Sequence, residues 1–584
     1  MCNGSVGRGG GAHVVDRRGA GIVPIGIESF ADVVGRFVYV DKTAVIADLI
    51  DRGGVTLFCR PRRFGKSLML RTLQCFFEAP VKGWVEHDPA LFDGLAITNE
   101  FGGYYTSHLG SHPVIYLGLN RCGGDTWEAM MGSVARLVTD EYIRHAYLLD
   151  SPRLLGFERA RFERVCSGEA SQSEVEGSLE FLSRLLSRHH GSQVVILIDE
   201  YDKVVTEGHL HGYRDEATGF LKRWLTGALK GTVDLYLAAL TGVQRVSKES
   251  IFSDLNNFRV DTALDHPFAE AFGFTRGEAE ALATRLGHAD RVGELAAWYD
   301  GYDFGGEAAY NPWSVLNYLD QGCVAQPYWT NTSSNEVIRR LIARAGEETN
   351  ARLTALAEGG EVEEPLDLSV VYGQIDSDTS AIWPQLYLAG YVTTHDVAEP
   401  NNSRLARRLE VPNLEVRELF RGELMDRAVA AAAGRDALAR LHAALAAGDA
   451  GALERELGRA LLDTVSYYDL RDENSCHMWL LSLLYGMAGY RFPRSNREVG
   501  QGRPDVVCEP DASHEGGLPA IAVEVKFERD ATPDQLRSAA REALAVQASP
   551  KRYAHGLAGR GAILWAVAFD NHKNVAAEAL RVVS

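Results

Sequence analysis

The sequence points to an α/β protein of several folding units, and three stretches carry that expectation. CRPRRFGKS (59–67) lies between an apolar run and a helix-periodic run. VVILIDEYD (194–202) ends five apolar residues in two acids, and PDVV (504–507) with AIAVEVKFE (520–528) sets ionised groups into two further apolar runs. Apolar strand, polar turn and helix in succession is the pattern of a parallel sheet with crossover helices. At roughly 150 residues per domain, a chain of 584 residues predicts three or four units.

Composition narrows the class. Hydrophobic residues make up 46% and charged residues 24%, an ordinary globular balance, and no uncharged apolar run reaches the ~18 residues of a membrane span. No membrane partner is expected. Residues 1–21 are rich in glycine and charge without an apolar core, so they read as a disordered lead-in and not as a secretory signal. The eight cysteines form no CxxC pair, which disfavours zinc and a disulfide framework and fits reduced thiols in a cytoplasm. Net charge is −19, unevenly spread: residues 1–80 carry 11 Lys and Arg against 7 acids, and residues 471–584 carry 14 against 14. The acidic excess therefore sits between the two motif-bearing ends.

VTLFC (55–59) reads as a buried strand and SLMLRTLQCFFE (67–78) as a helix, with RPRRFGK between them. That is the setting a GxxxxGK[ST] phosphate loop requires, since loop amides and a helix N-terminus must converge on the phosphates. Gly65, Lys66 and Ser67 fit: Lys66 would reach the terminal phosphates and Ser67 would hold magnesium. The first glycine is replaced by Arg60, so the turn must be made without glycine there, and Arg62 and Arg63 offer compensating charge. A chance GKS at a helix start is the alternative. VVILIDEYD supplies the complementary half, with Asp199 at the metal and Glu200 at an attacking water. A third apolar run, VDLYLAALTG (233–242), leads to Thr241 and Arg245, read as γ-phosphate sensors against the plainer reading of a solvated loop arginine.

These residues resemble the bacterial AAA-ATPase-like proteins that join a divergent P-loop domain to a C-terminal domain of the PD-(D/E)xK nuclease superfamily. The resemblance is carried by VPIGIESFADVV (23–34), YVDKTAVI (39–46), RPRRFGKS (60–67), VILIDEYD (195–202), LTGVQRVSKESIFSDLNN (240–257), WYDGYDFG (298–305), YNPWSVLNYL (310–319), YWTNTSSN (328–335) and VPNLEVRELF (411–420). It implies ATP and Mg²⁺ as cofactors, nucleotide contacts at Arg63, Gly65, Lys66, Ser67, Asp199, Thr241 and Arg245, and a family loop in which arginine stands at the first position. The domain division that follows is a lead-in 1–21, a P-loop domain 22–270, a helical subdomain 271–424, an Ala-rich helical connector 425–465 and a nuclease-like domain 466–584. Trp298, Tyr299, Tyr310, Trp313 and Trp329 read as core of the helical subdomain, with a base-stacking surface as the alternative.

At the C-terminal end, DENSCHMWLLSLLYGMAGY (472–490) reads as a helix with Glu473 near its start. Arginines 491, 494, 497 and 503 precede Asp505 and oppose only Glu498. Such a basic approach suits a phosphate backbone, and so does a solvated loop. Glu524 and Lys526 lie two apart on one strand face. Asp505 and Glu524 could hold Mg²⁺ while Lys526 orients water or steadies developing charge; a structural salt-bridge ladder is the competing reading. Gln547 and Tyr553 match the family's next helix. The expected function is an ATP-regulated, metal-dependent nuclease acting on nucleic acid, DNA favoured, with Glu200, Asp505, Glu524 and Lys526 catalytic and homo-oligomers left open. The alternatives are an ATP-driven switch, or a remodelling ATPase whose nuclease-like domain binds a partner without cutting.

Overall fold

The computed structural model describes residues 13–85, 87–245, 258–329, 347–368, 381–400, 402–464, 472–495, 504–511, 518–547 and 561–582. They belong to two compact units, residues 1–331 with 363–416 and residues 332–362 with 417–584.

The first unit is an α/β fold around five strands, β1 (Gly54–Cys59), β2 (Val114–Gly118), β3 (Val194–Asp199), β4 (Leu235–Gly242) and β5 (Phe258–Asp261). Their order is β2-β3-β4-β1-β5, and every neighbouring pair is parallel. All of β3 and nearly all of β1 is buried. Continuous Val, Ile and Leu without polar alternation is what a sheet covered on both faces demands. Between the strands run α1 (Lys66–Phe77), α2 (Trp127–Arg144), α3 (Ser178–His190) and α4 (Arg214–Leu229). Parallel strands put their carboxyl ends on one edge: Gly118 lies beside Asp199, and Phe58 has Thr241 on one side and Asp261 on the other. From β1 the chain leaves for the far edge, returns strand by strand, and then lays β5 on the opposite side of β1. The order thus reverses at β1, where open α/β sheets form their ligand crevice.

Two expectations change here. Residues 13–21, assigned to the lead-in, are ordered: Val14–Val15 pairs antiparallel with Tyr39–Val40, and Arg17 donates to the carbonyls of Ala90, Leu91 and Asp93. The third apolar run starts two residues later than its sequence suggests, because Val233 is exposed and only Leu235 onward is laddered.

The helical part of this unit has a buried cluster that includes Tyr299, Tyr310 and Tyr318, with Trp298 packed against it. Asn311 starts the helix Pro312–Asp320, its side-chain oxygen accepting from the amides of Trp313 and Ser314 while proline fills the first turn. Trp329 is buried as well.

The second unit is built on a mixed sheet of β6 (Arg494–Ser495), β7 (Val506–Cys508), β8 (Ala520–Phe527), β9 (Ala562–Phe569) and β10 (Val575–Val582), in that order. Only β8 and β9 are parallel, and a parallel pair needs a crossover. The sequence supplies helices α5 (Arg435–Ala447), α6 (Ala450–Thr464), α7 (Glu473–Leu483) and α8 (Pro533–Gln547), the last lying between β8 and β9. One leucine and a set of alanines make the α8 contact: Leu536, Ala540 and Ala543 meet Ala566, Ala568 and Ala576. The Ala-rich segment read as a connector packs on this sheet. The amide of Ala577 in β10 donates to Glu454 of α6 at 2.9 Å, and Arg537 of α8 reaches the same carboxylate at 3.3 Å.

Candidate functional site

The loop after β1 is shaped by two residues in the left-handed region, Arg63 at φ 67° and Gly65 at φ 86°. Arg60 is not one of them, so the turn is made three residues beyond the position where a glycine was missing. Gly65 is the N-cap of α1 and gives it no side-chain cap, which leaves first-turn amides for a ligand. A Cβ there would meet nothing within 4 Å, so glycine answers to the dihedral and not to crowding. Lys66 follows, buried, its ammonium donating to the carbonyls of Arg60 at 2.9 Å and Pro61 at 2.7 Å. Burial pushes its pKa down to about 8, against the pull of Glu200, Asp199 and Asp202. Ser67, partly buried, is the next residue of the same turn.

Arg60 itself is engaged within the fold. Its side chain is wholly enclosed, paired with Asp261 at the end of β5 at 2.5 Å and donating to the carbonyls of Cys59 and Asp261 at 3.0 Å. The guanidinium also lies over the rings of Phe272 and Phe304. It anchors the loop's first residue to the neighbouring strand. Arg63 is likewise turned aside: its guanidinium sits 4.1 Å from the Trp313 ring centroid and donates to the Tyr328 carbonyl at 3.2 Å. Burial lowers its pKa, and the Glu415 carboxylate works against that.

On the other wall, Asp199 ends β3 and accepts the hydroxyl hydrogen of Thr241 from β4. Thr241 in turn accepts from the Glu200 amide at 3.3 Å. Glu200 turns out of the strand at φ 51°, and burial raises its pKa, with the Lys66 charge opposing. Asp202 carries a role that sequence reasoning missed: one carboxylate oxygen accepts the amides of both Val243 and Gln244 at 2.9 Å and so clamps the turn after β4. Gly242 permits this approach, because a Cβ there would stand 2.7 Å from the Tyr201 ring and 2.8 Å from Asp202. DEYD displays Asp202 as a third acid, but nothing in the spacing tells a clamp from a ligand. Arg245 closes the turn partly buried, its Nε enclosed and without a hydrogen-bond partner.

The structure therefore brings Lys66, Asp199, Glu200 and Thr241 to one crevice and directs the Arg63 side chain elsewhere. Ser67 hydroxyl and Asp199 carboxylate are hard oxygen donors of the kind Mg²⁺ takes. Among the described residues no three His, Cys, Asp or Glu side chains are grouped to hold a metal. The chemistry of the pair fits an ion that draws its remaining ligands from phosphate and water.

In the second unit, α7 starts at Glu473 under an Asp472 cap, one of whose side-chain oxygens accepts the Ser475 amide at 2.8 Å. Lys526 of β8 lies 3.2 Å from Glu473 and 3.4 Å from Glu524 on its own strand face. Asp505, just ahead of β7, accepts the Val525 amide at 2.7 Å across the sheet. Burial raises the Asp505 pKa, with His477 and Lys526 pulling against it. Burial also works against the Lys526 charge, but Glu524 and Glu473 outweigh it and hold that pKa above the ordinary lysine range. Asp505, Glu524 and Lys526 are thus brought together with Glu473, and the carboxylate oxygens are donors of the kind a hard cation takes. Arginines 497 and 503, Tyr553 and the Gln547 side chain lie outside the described residues. Arg494 pairs with Glu358 at 3.0 Å.

The family model described as "Predicted AAA-ATPase" matches residues 24–252, which span the crevice from before β1 to just past β4. An uncharacterized protein in the vnfD 5' region of Azotobacter chroococcum mcd 1 is 30% identical over 404 residues, 68% of each chain. Among solved structures, a signal transduction ATPase with numerous domains and a tetratricopeptide repeat sensor, from Pyrococcus horikoshii, covers 76% of this chain at 13% identity and a TM-score of 0.24. This chain spans 55% of that protein's length, and so distant a likeness carries no argument. By the match over the crevice and the extended relationship to the Azotobacter protein, the chain belongs to the predicted AAA-ATPase family.

Proposed function

We propose that the protein binds and hydrolyses ATP at the β1–β4 crevice and that nucleotide state licenses a metal-dependent nuclease site in the second unit, with DNA the favoured substrate. For the first activity, Lys66 meets the terminal phosphates, Ser67 and Asp199 hold Mg²⁺, and Glu200 takes the proton of the attacking water. The bound ion would neutralise charge on the phosphoryl oxygens. Thr241, bonded to Asp199, ties the strand between the two motifs to the metal-holding carboxylate.

The single observation behind the second activity is the convergence of Glu473 from a helix, Asp505 from the residue ahead of β7, and Glu524 and Lys526 from β8. Asp505 and Glu524 are partly buried, and withdrawing carboxylates from water is costly unless they bind something. Asp505 and Glu524 would hold the ion, and Lys526 would orient water or steady charge on the phosphodiester. Lys526 already bridges two carboxylates, which favours a second reading: a charge ladder in a domain that binds nucleic acid or protein without cutting.

Incubation of the full chain with plasmid DNA and Mg²⁺ or Mn²⁺, with and without ATP, separates these readings. Asp505→Ala, Glu524→Ala and Lys526→Ala are each expected to lose cleavage while phosphate release from ATP survives. Absence of cleavage by the unaltered protein under every metal and nucleotide condition would leave the binding reading in its place.

A further inference from the structure

The turn after β4 is fixed by more than Asp202. Tyr201 donates its hydroxyl to the Gln244 carbonyl at 2.7 Å, and the Gln244 side-chain amide donates to Gln385 Oε1 at 2.6 Å. Gln385 belongs to the helix Ile382–Ala389 in the same compact unit, 141 residues on in sequence, and is 2% exposed. Its own Nε2 is enclosed and has no acceptor. The Nε of Arg245, next to Gln244, is in the same condition. Two enclosed donors, one on the helix side chain bonded to Gln244 and one on the residue after Gln244, lack what an anionic oxygen would supply.

The helix that carries Gln385 also reaches the phosphate loop. It ends on Gly390 at φ 86°, where a Cβ would stand 3.0 Å from the Pro61 side chain, and the Gly390 carbonyl accepts the Tyr302 hydroxyl at 3.0 Å. One short helix therefore touches the loop that cradles phosphates and the turn that follows Thr241.

We propose that Gln385 is a nucleotide-contacting residue that distinguishes nucleoside triphosphate from diphosphate, its amide Nε2 donating with Arg245 to the terminal phosphoryl group. A triphosphate supplies the missing acceptor and holds the helix Ile382–Ala389 in place at the crevice, whereas a diphosphate leaves both donors unpaired. This rests on the ATP-site reading above.

Gln385→Glu is the informative substitution. It keeps an oxygen for the Gln244 amide while replacing the donor with a negative charge. In titration calorimetry with a non-hydrolysable ATP analogue and with ADP, its affinity for the triphosphate is expected to fall on the order of tenfold or more, with ADP binding within about twofold of the unaltered protein. Equal loss for both nucleotides, or no loss for either, overturns the proposal. Should Gln385→Glu fail to fold, Gln385→Met is nearly isosteric and uncharged and carries the same comparison. Lys66→Ala, measured alongside, is expected to lose both nucleotides. If it retains them, the crevice reading falls and this inference with it; if it loses them while Gln385→Glu shows no selectivity change, only this inference falls.

Discussion

Arg60 occupies the position where a phosphate loop usually has its first glycine, and the structure gives it a partner that no local pattern contains. Asp261 lies 201 residues away on the strand beside β1, and the two side chains are 0% and 6% exposed. Asp261's pKa is raised by burial against the pull of Arg60, so the charge of each is tolerated because of the other. Removing one partner of such a pair strands a buried charge, at a cost of about 3–5 kcal/mol. Arg60→Gly, although it restores the usual loop residue, is expected to destabilise the protein by that order. Adding Asp261→Ala should recover part of the loss. Denaturant unfolding of the two singles and the double measures the coupling, and strict additivity would contradict the anchoring role. At this scale Gly65, Lys66, Ser67, Asp199 and Glu200 were legible because each belongs to a contiguous motif. Asp202 and Gln385 were not, since their roles depend on which backbone and side-chain groups the fold sets beside them.

The start of the helix Leu414–Ala431 shows the same dependence for a whole element. Its second residue, Glu415, is 1% exposed and accepts from Ser314 Oγ at 2.7 Å and from the amides of Tyr328 and Trp329 at 2.7 and 2.8 Å. Burial raises its pKa to about 7 despite those bonds and the nearby Arg63 charge. The folded chain thus keeps a proton that the unfolded chain releases near 4.5. The stabilising contribution is full below that pH, declines as pH rises, and is lost above about 7. Glu415→Gln, which imitates the protonated acid, is expected to flatten this decline. The difference in slope between the two proteins should approach 1.4 kcal/mol per pH unit at most, between about pH 4.5 and 7. Unfolding free energies across that range check it, and parallel curves would contradict it. Strands β1 and β3 could be read from sequence because their apolar runs are continuous. The Ala-rich helices could be read as helices, with breaks at Gly434 and Gly448, where φ is 132° and 74°. Their docking on the C-terminal sheet could not, because the leucines they bury, Leu438, Leu441 and Leu445 on one and Leu453, Leu457 and Leu461 on the other, mark an apolar face without saying what covers it.

Across the whole molecule, two sheets of different construction carry two clusters of charge. The first is all parallel, so its strand ends, and with them Lys66, Asp199 and Thr241, share one edge. The second is mixed: its interior strand β9 is buried along its full length with β8 parallel beside it, and Glu524 and Lys526, two apart on β8, share one face. Both clusters were visible as motifs in sequence. Their assembly was inferable only for the first, where a parallel sheet dictates that strand ends meet; in the second, Glu473 joins through a helix whose placement no repeat or spacing announces. The central claim is that the β1–β4 crevice is an ATP-hydrolysing site, and it is tested most directly by phosphate release from ATP and Mg²⁺ by three purified proteins. The unaltered chain is expected to release phosphate, Lys66→Ala to bind no ATP, and Glu200→Gln to bind ATP with near-normal affinity while releasing at least about a hundredfold less phosphate. Phosphate release from Glu200→Gln at the unaltered rate, together with ordinary ATP affinity in Lys66→Ala, would contradict the account.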